Sequence, residues 1–293
     1  MNIRLLVCDF DNTLYDWVSY FVVSFYRMVD EAVAILDVDR EQLLDDFRAV
    51  HQRFRDSEHP FALLETDSVK ERYPGLDRDL VAERLDSAFY AFNRARKETL
   101  QLYPGVMDTL RTLRAHNVRL VGHTEAKYLA VTDRLKRLQL GSLFSRVYCR
   151  ERSPSSRPAS RSGWESNRDT ETEIVQLSHH QAKPSGEVLT EICGREGFEL
   201  SEVAYVGDSL FKDMLMANRV GVHAIWAKYG TVAYHGNYES LVRVSHWRDE
   251  DIDFERQLRS ESNEIRPDFI LENRFDELLW DQALDLAPRW AAG

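Results

Sequence analysis

Ile3-Arg4-Leu5-Leu6-Val7-Cys8-Asp9-Phe10-Asp11-Asn12-Thr13 is the stretch on which the fold turns. Its first six residues are a short apolar run, interrupted only by Arg4, of the length and content of a strand buried on both faces of a parallel sheet. Two carboxylates follow, one residue apart. Alternate side chains of an extended chain share a face, so Asp9 and Asp11 reach one place at the end of that strand. Open α/β sheets put their ligand sites at the carboxyl ends of strands. The stretch equally fits a strand closed by an Asx turn with no chemistry attached. If it is a site, two close carboxylates repel and a divalent cation would relieve them. One carboxylate could then attack while the other handles protons.

Further short apolar runs predict strands at Val118–Gly122, Arg146–Cys149, Val203–Val206 and Val222–Trp226, with an edge strand at Asp268–Leu271. Helical patterns lie between or after them: Gly105–His116, Ala126–Leu138, Ser185–Glu196, Phe211–Asn218 and Phe275–Leu286. Strands alternating with helices predict an open α/β fold, doubly wound around a parallel sheet. One interval breaks the alternation. From Asp16 to about Glu98 the apolar spacing is helical throughout, as at Val29, Ala32, Val33 and Leu36, and Tyr103-Pro104-Gly105 marks the return. A helical domain over 16–99 inserted into a main domain of 1–15 and 100–293 is expected. Residues 150–180, rich in Arg, Ser and Pro, predict a flexible surface loop, and 236–266 a charged extension.

Of the 293 residues 43% are apolar and 30% charged, an ordinary balance for a globular chain. The formal net charge of −11 disfavours nucleic acid and anionic membrane as partners. Cys8, Cys149 and Cys193 have neither zinc-ligand spacing nor a disulfide framework. The apolar stretch Trp17–Leu36 carries Arg27, Asp30 and Glu31 and reads as a helix of a globular domain. No signal peptide stands before the first apolar run, so a cytoplasmic location is expected.

Three more places carry chemistry. Thr124, in His123-Thr124-Glu125-Ala126 after the second strand, is expected to open a helix, as its N-cap or as a hydroxyl donor to a phosphate there. Lys183 stands before Pro184 and just ahead of another helix, where it reads as a surface lysine or as a cation that helps hold an anion. Gly207-Asp208-Ser209-Leu210-Phe211-Lys212-Asp213 follows the fourth strand and adds two carboxylates after a tight turn. Oxygen-only ligands favour magnesium over zinc. In the helical stretch Arg48, His51 and Arg55 share a face and are candidates for holding an anionic substrate tail, although a solvated charged face fits them as well.

In order, spacing and strand context, Asp9-Phe10-Asp11-Asn12-Thr13, Thr124, Lys183 and Gly207-Asp208 with Asp213 resemble the four motifs of the haloacid dehalogenase-like (HAD) hydrolase superfamily over about 1–15 and 100–230. The resemblance implies a Rossmann-like core and a type-1 helical cap. It implies a phosphatase cleaving a small phosphorylated metabolite with Mg²⁺ through an aspartyl-phosphate. Asp9 would be the nucleophile and Asp11 the acid and base. Thr124 and Lys183 would hold the phosphoryl oxygens. Asp208 would ligate Mg²⁺ with the Asp9 carboxylate and the Asp11 backbone carbonyl, and Asp213 would orient Lys183 or a metal-bound water. Superfamily dehalogenases lack an Asp two residues after the nucleophile, so Asp11 argues against dehalogenation. The only lysines between Leu14 and Tyr103, Lys70 and Lys97, lack the apolar setting a Schiff base needs, which argues against phosphonate hydrolysis. A phosphomutase shares all four motifs, and a non-catalytic binding protein reusing the fold is the other alternative.

Overall fold

The structure, a computed structural model, describes residues 2–59, 61–151, 172–178, 180–232, 235–248, 250, 253 and 265–279. Seven parallel strands form one sheet in the order β4-β3-β2-β1-β5-β6-β7. They are β1 (Leu5–Cys8), β2 (Arg119–Lys127), β3 (Arg146–Arg150), β4 (Glu173–Leu177), β5 (Val203–Gly207), β6 (His223–Ala227) and β7 (Phe269–Leu271). β1 lies between β2 and β5, where the winding reverses direction. Such a switch point opens a crevice at the carboxyl ends of the strands, and Asp9 is the first residue beyond β1.

Period-two alternation along β1 builds two cores. Leu5 and Val7 face Val188, Leu189 and Met216, on the side of helices α8 (Gly186–Glu196) and α9 (Leu215–Val220). Leu6 and Cys8 face the opposite cluster, which holds Leu110 of helix α6 (Val106–Ala115) and Leu135 of helix α7 (Tyr128–Arg137). Both faces are covered, which is why the strands read as nearly unbroken apolar runs.

Among the described residues of 17–99 every regular element is helical: α1 (Trp17–Leu36), α2 (Arg40–Phe54), α3 (Asp67–Arg72), α4 (Arg78–Arg84) and α5 (Asp86–Thr99), with a 3₁₀ turn at Ala62–Glu65. Asp16 caps α1 by accepting from the Ser19 amide at 2.8 Å, and Asp39 caps α2 through the amides of Glu41 and Gln42. α1 packs along α5. A further helix, α10 (Tyr238–Val244), leaves the sheet and packs on α1 and α2, with the Tyr26 hydroxyl donating to the Ser240 carbonyl at 3.1 Å.

Three expectations differ from what is found. The stretch expected to be a loop over 150–180 contains β4; as an edge strand it is only partly buried, so Glu173 and Gln176 break the apolar run that would have marked it. Within the same stretch Arg150 pairs with Glu125 at 3.2 Å, while Arg152, Arg157 and Arg161, which with Arg150 could form a basic recognition segment but fit a solvated loop better, lie outside the described residues. Of the helix expected at Phe275–Leu286, the described part is a 3₁₀ turn at Phe275–Leu279. Among the described residues no helix is long and apolar enough to cross a membrane.

Candidate active site

The chain leaves β1 through a turn in which the Leu14 amide donates to the Phe10 carbonyl at 2.9 Å and Asn12 takes a left-handed conformation, φ 61°. Asn12 Oδ1 then accepts the Trp17 and Val18 amides at the start of α1. This turn leaves Asp9 buried in the crevice. Lys183 Nζ donates to Asp9 Oδ1 at 2.5 Å, and the Thr13 hydroxyl to Oδ2 at 3.1 Å. The same ammonium donates to Asp213 Oδ1 at 2.8 Å. Asp213 comes from the π-helical turn Leu210–Met214 after β5. Its approach depends on Gly207, where a Cβ would lie 2.4 Å from the Asp213 carboxyl carbon.

One buried cation thus serves several buried carboxylates. Asp9, Asp208 and Asp213 each bring a carboxylate oxygen within 4.8 Å of the others. Burial pushes the Asp9 carboxyl up to about 7 against the pull of Lys183, with Asp213 adding to the rise. Asp208 rises well above its usual range, through burial first and then the charges of Asp9 and Asp213. Lys183 is held well above its ordinary value: burial works against its charge, but Asp213 and Asp9 outweigh it. Asp208 accepts from Trp226 Nε1 and the Thr231 hydroxyl on its backbone carbonyl, while its carboxylate stands in the acidic group. A buried, all-oxygen group of three carboxylates fits a hard divalent cation.

Asp11 turns elsewhere. Its Oδ1 accepts the Tyr15 hydroxyl and, at 2.9 Å, Arg134 Nη1. Its carboxylate is not one of the three gathered at Lys183. Thr124 is buried, but the expected helix does not begin there. β2 runs on to Lys127 with an irregular register after His123, and α7 starts only at Tyr128. Thr124 is therefore no N-cap; its hydroxyl accepts the Ala126 amide at 3.1 Å within the strand end. His123 is buried, with Nδ1 3.3 Å from the Tyr205 hydroxyl, and burial together with Lys183 keeps it far below its ordinary value.

Arg48, His51 and Arg55 do not form one face. His51 is buried against Phe21, Phe25 and Phe47, with Nδ1 2.6 Å from the Val244 carbonyl. Arg48 is partly buried on α2, and Arg55 is the exposed, left-handed residue that ends it. Sequence reasoning missed Arg134, Tyr15, Glu58 and Gly230. A Cβ at Gly230 would lie 1.7 Å from the Asn12 carbonyl, so glycine is required there for the turn after Asp11 to pass.

A family model described as haloacid dehalogenase-like hydrolase matches residues 3–221. Among solved structures, a 2-haloacid dehalogenase from Pseudomonas syringae pv. tomato DC3000 is 19% identical, with a TM-score of 0.53, covering 92% of this chain and 94% of that one. A HAD phosphatase from Thermococcus onnurineus is 18% identical, TM-score 0.51, over 94% of this chain and 97% of its own. The HAD-type protein YfnB from Bacillus subtilis, bound to magnesium, is 15% identical, TM-score 0.50, over 95% and 97%. At these identities the likeness is one of fold. No curated protein matches the chain.

Proposed function

This chain belongs to the haloacid dehalogenase-like hydrolase family, and from that premise we propose that it is a phosphatase: it cleaves a small phosphorylated metabolite through Asp9, with Mg²⁺ as cofactor. The observation that carries the reading is the Lys183 bridge between Asp9 and Asp213 with Asp208 alongside, a nucleophile set in a group suited to neutralise phosphoryl charge.

Asp208 and Asp9, with the Asp11 backbone carbonyl, would hold the cation, and Asp213 would hold Lys183 in place. When bound, Mg²⁺ offsets the phosphoryl charge as the attack proceeds. Lys183 and Thr13 fix the two Asp9 oxygens, so the carboxylate presents one orientation to phosphorus. Asp9 attacks, the bond to the leaving oxygen breaks, and Asp11 gives that oxygen its proton. Asp11 then takes a proton from the water that opens the aspartyl-phosphate. The hydroxyl of Thr124, whose lone pair accepts the Ala126 amide, would steady a phosphoryl oxygen with its own proton.

Two further observations support a phosphatase of small substrates. Asp11 is present and held by two donors, and an attack on a carbon–halogen bond needs no acid there. The helical segment, read as a cap, reaches the site through Glu58 and so favours substrates it can close over. The test is hydrolysis of p-nitrophenyl phosphate. Turnover with Mg²⁺, its loss on EDTA and its loss in Asp9→Asn are expected. Full activity of Asp9→Asn, or halide release from 2-chloropropionate without phosphatase activity, would overturn the reading.

A further inference from the structure

Arg134, on α7, is 1% exposed and is the largest of the fully buried side chains. Its Nη1 meets Asp11 Oδ1 at 2.9 Å, and its Nη2 meets both oxygens of Glu58 at 2.5 and 2.6 Å. Its guanidinium lies over the rings of Tyr15 and Tyr20, 5.5 and 5.2 Å from their centroids. The Tyr15 hydroxyl completes the group by donating to the same Asp11 oxygen. A buried guanidinium shared between two carboxylates is a poor device for stability, because well-packed apolar residues often serve a fold as well or better. Its value here is geometric. Both donors fall on Oδ1, so one oxygen of Asp11 is anchored and Oδ2 is left for proton traffic.

Glu58 belongs to the helical segment, in the loop that follows α2. That loop is held to the sheet domain a second time, by Asp56 to Lys127 at 2.7 Å. Arg134 therefore joins two things: the placement of Asp11 and the seating of this loop.

We propose that Arg134 is the positioning residue for Asp11, and that Glu58 makes the clamp depend on the loop being docked. The proposal rests on the reading of Asp11 as acid and base. As the bond from Asp9 to phosphorus forms and the bond to the leaving oxygen breaks, the Asp11 proton passes to that oxygen. The clamp holds Asp11 where this transfer is short.

A structural role alone would lower activity evenly; a role through proton donation would not. Leaving groups that depart readily as anions need little help, and poor ones need the acid. The experiment measures kcat/KM, which reports steps through leaving-group departure, on p-nitrophenyl phosphate, phenyl phosphate and an alkyl phosphate. It compares wild type, Asp11→Asn, Arg134→Met, Glu58→Gln and the double variant Arg134→Met with Glu58→Gln. Arg134→Met is expected to lose about tenfold on p-nitrophenyl phosphate and about 10²- to 10³-fold on the alkyl ester, within the range general acid catalysis supplies. Its KM is expected to change by less than about threefold. Asp11→Asn should show the same leaving-group pattern, more strongly. Where Arg134→Met fails to fold, Arg134→Lys carries the test with a smaller loss of the same pattern. Glu58→Gln is expected to lose about three- to tenfold, again more on poor leaving groups, and to add nothing to Arg134→Met. An even loss across leaving groups in the Arg134 variants, beside a graded loss in Asp11→Asn, overturns the positioning role. Wild-type behaviour of Glu58→Gln overturns the docking dependence. An even loss in Asp11→Asn itself overturns the acid role on which the proposal rests.

Discussion

His51 makes a prediction that turns a candidate binding residue into a measurable part of the core. Burial among Phe21, Phe25 and Phe47 drives its imidazole down to about 4, against the opposing pulls of the Val244 carbonyl and the Asp56 charge. In the unfolded chain the ring titrates near its ordinary value of about 6.5. The sign follows. Above about 6.5 the ring is neutral in both states and the full stability is present. Between about 6.5 and 4 the unfolded chain takes up a proton that the fold refuses, so stability falls as pH falls. The gap corresponds to about 3 kcal/mol. At 1% exposure solvent screening removes little of it. His51→Gln keeps a donor for the Val244 carbonyl but does not titrate. Its packing cost is the same at every pH, so it cancels when each protein's stability at pH 4 is subtracted from its stability at pH 7. Urea unfolding followed by circular dichroism, at constant ionic strength and in EDTA, should show wild type losing about 3 kcal/mol more than the variant over that interval. Parallel pH curves for the two proteins would refute the burial argument.

Gly207→Ala should push the Asp213 carboxyl off its seat, breaking the Lys183 bridge; activity should fall more than about tenfold and stability by about 1–3 kcal/mol, read by the phosphate assay and by urea unfolding. Retention of both would mean that Asp213 has room to spare. Lys183→Met leaves Asp9, Asp208 and Asp213 without their shared cation, so the metal-free protein should be about 3–5 kcal/mol less stable at pH 8, with turnover lost. Mg²⁺ at about a hundred times its Kd should stabilise the wild type by about 2.7 kcal/mol in a thermal melt, and Asp208→Asn by clearly less; an equal gain in both would place the cation elsewhere.

The sheet was legible because its strands are covered on both faces. Leu5 and Val7 need α8 and α9, Leu6 and Cys8 need α6 and α7, and neither side leaves a polar position within Leu5–Cys8. β4 shows the limit of that signal, since an edge strand with Glu173 and Gln176 carries no continuous apolar run. The helical end at Thr124 failed for a related reason. A hydroxyl before Glu125-Ala126 has the form of an N-cap, yet pairing with β3 at Lys127 keeps the chain extended three residues further. Local propensity lost to a tertiary hydrogen-bond ladder.

The site divides along the same line. Asp9, Asp208 and Asp213 were readable because each follows a strand that the apolar pattern had already placed, and Lys183 only through its place in the order of motifs, since a lone lysine before a proline reads as well as a surface residue. His51 misled because helical spacing alone says which residues share a face and not what that face meets. Here it meets α10, a helix far along the chain whose Val244 carbonyl accepts the imidazole N–H. Arg134 was invisible for a stronger reason. On α7 it stands beside Asp133 and near Arg137, which pair at 2.8 Å in the manner of an ordinary charged helix face. Its role is set by Asp11, Tyr15 and Glu58, which come from the strand end, the turn after it and a loop of the helical segment. No window along the chain contains that set. A buried arginine among the charged residues of an amphipathic helix is therefore recognised only once the fold has brought its partners to it, and its burial is the mark that separates it from its charged neighbours.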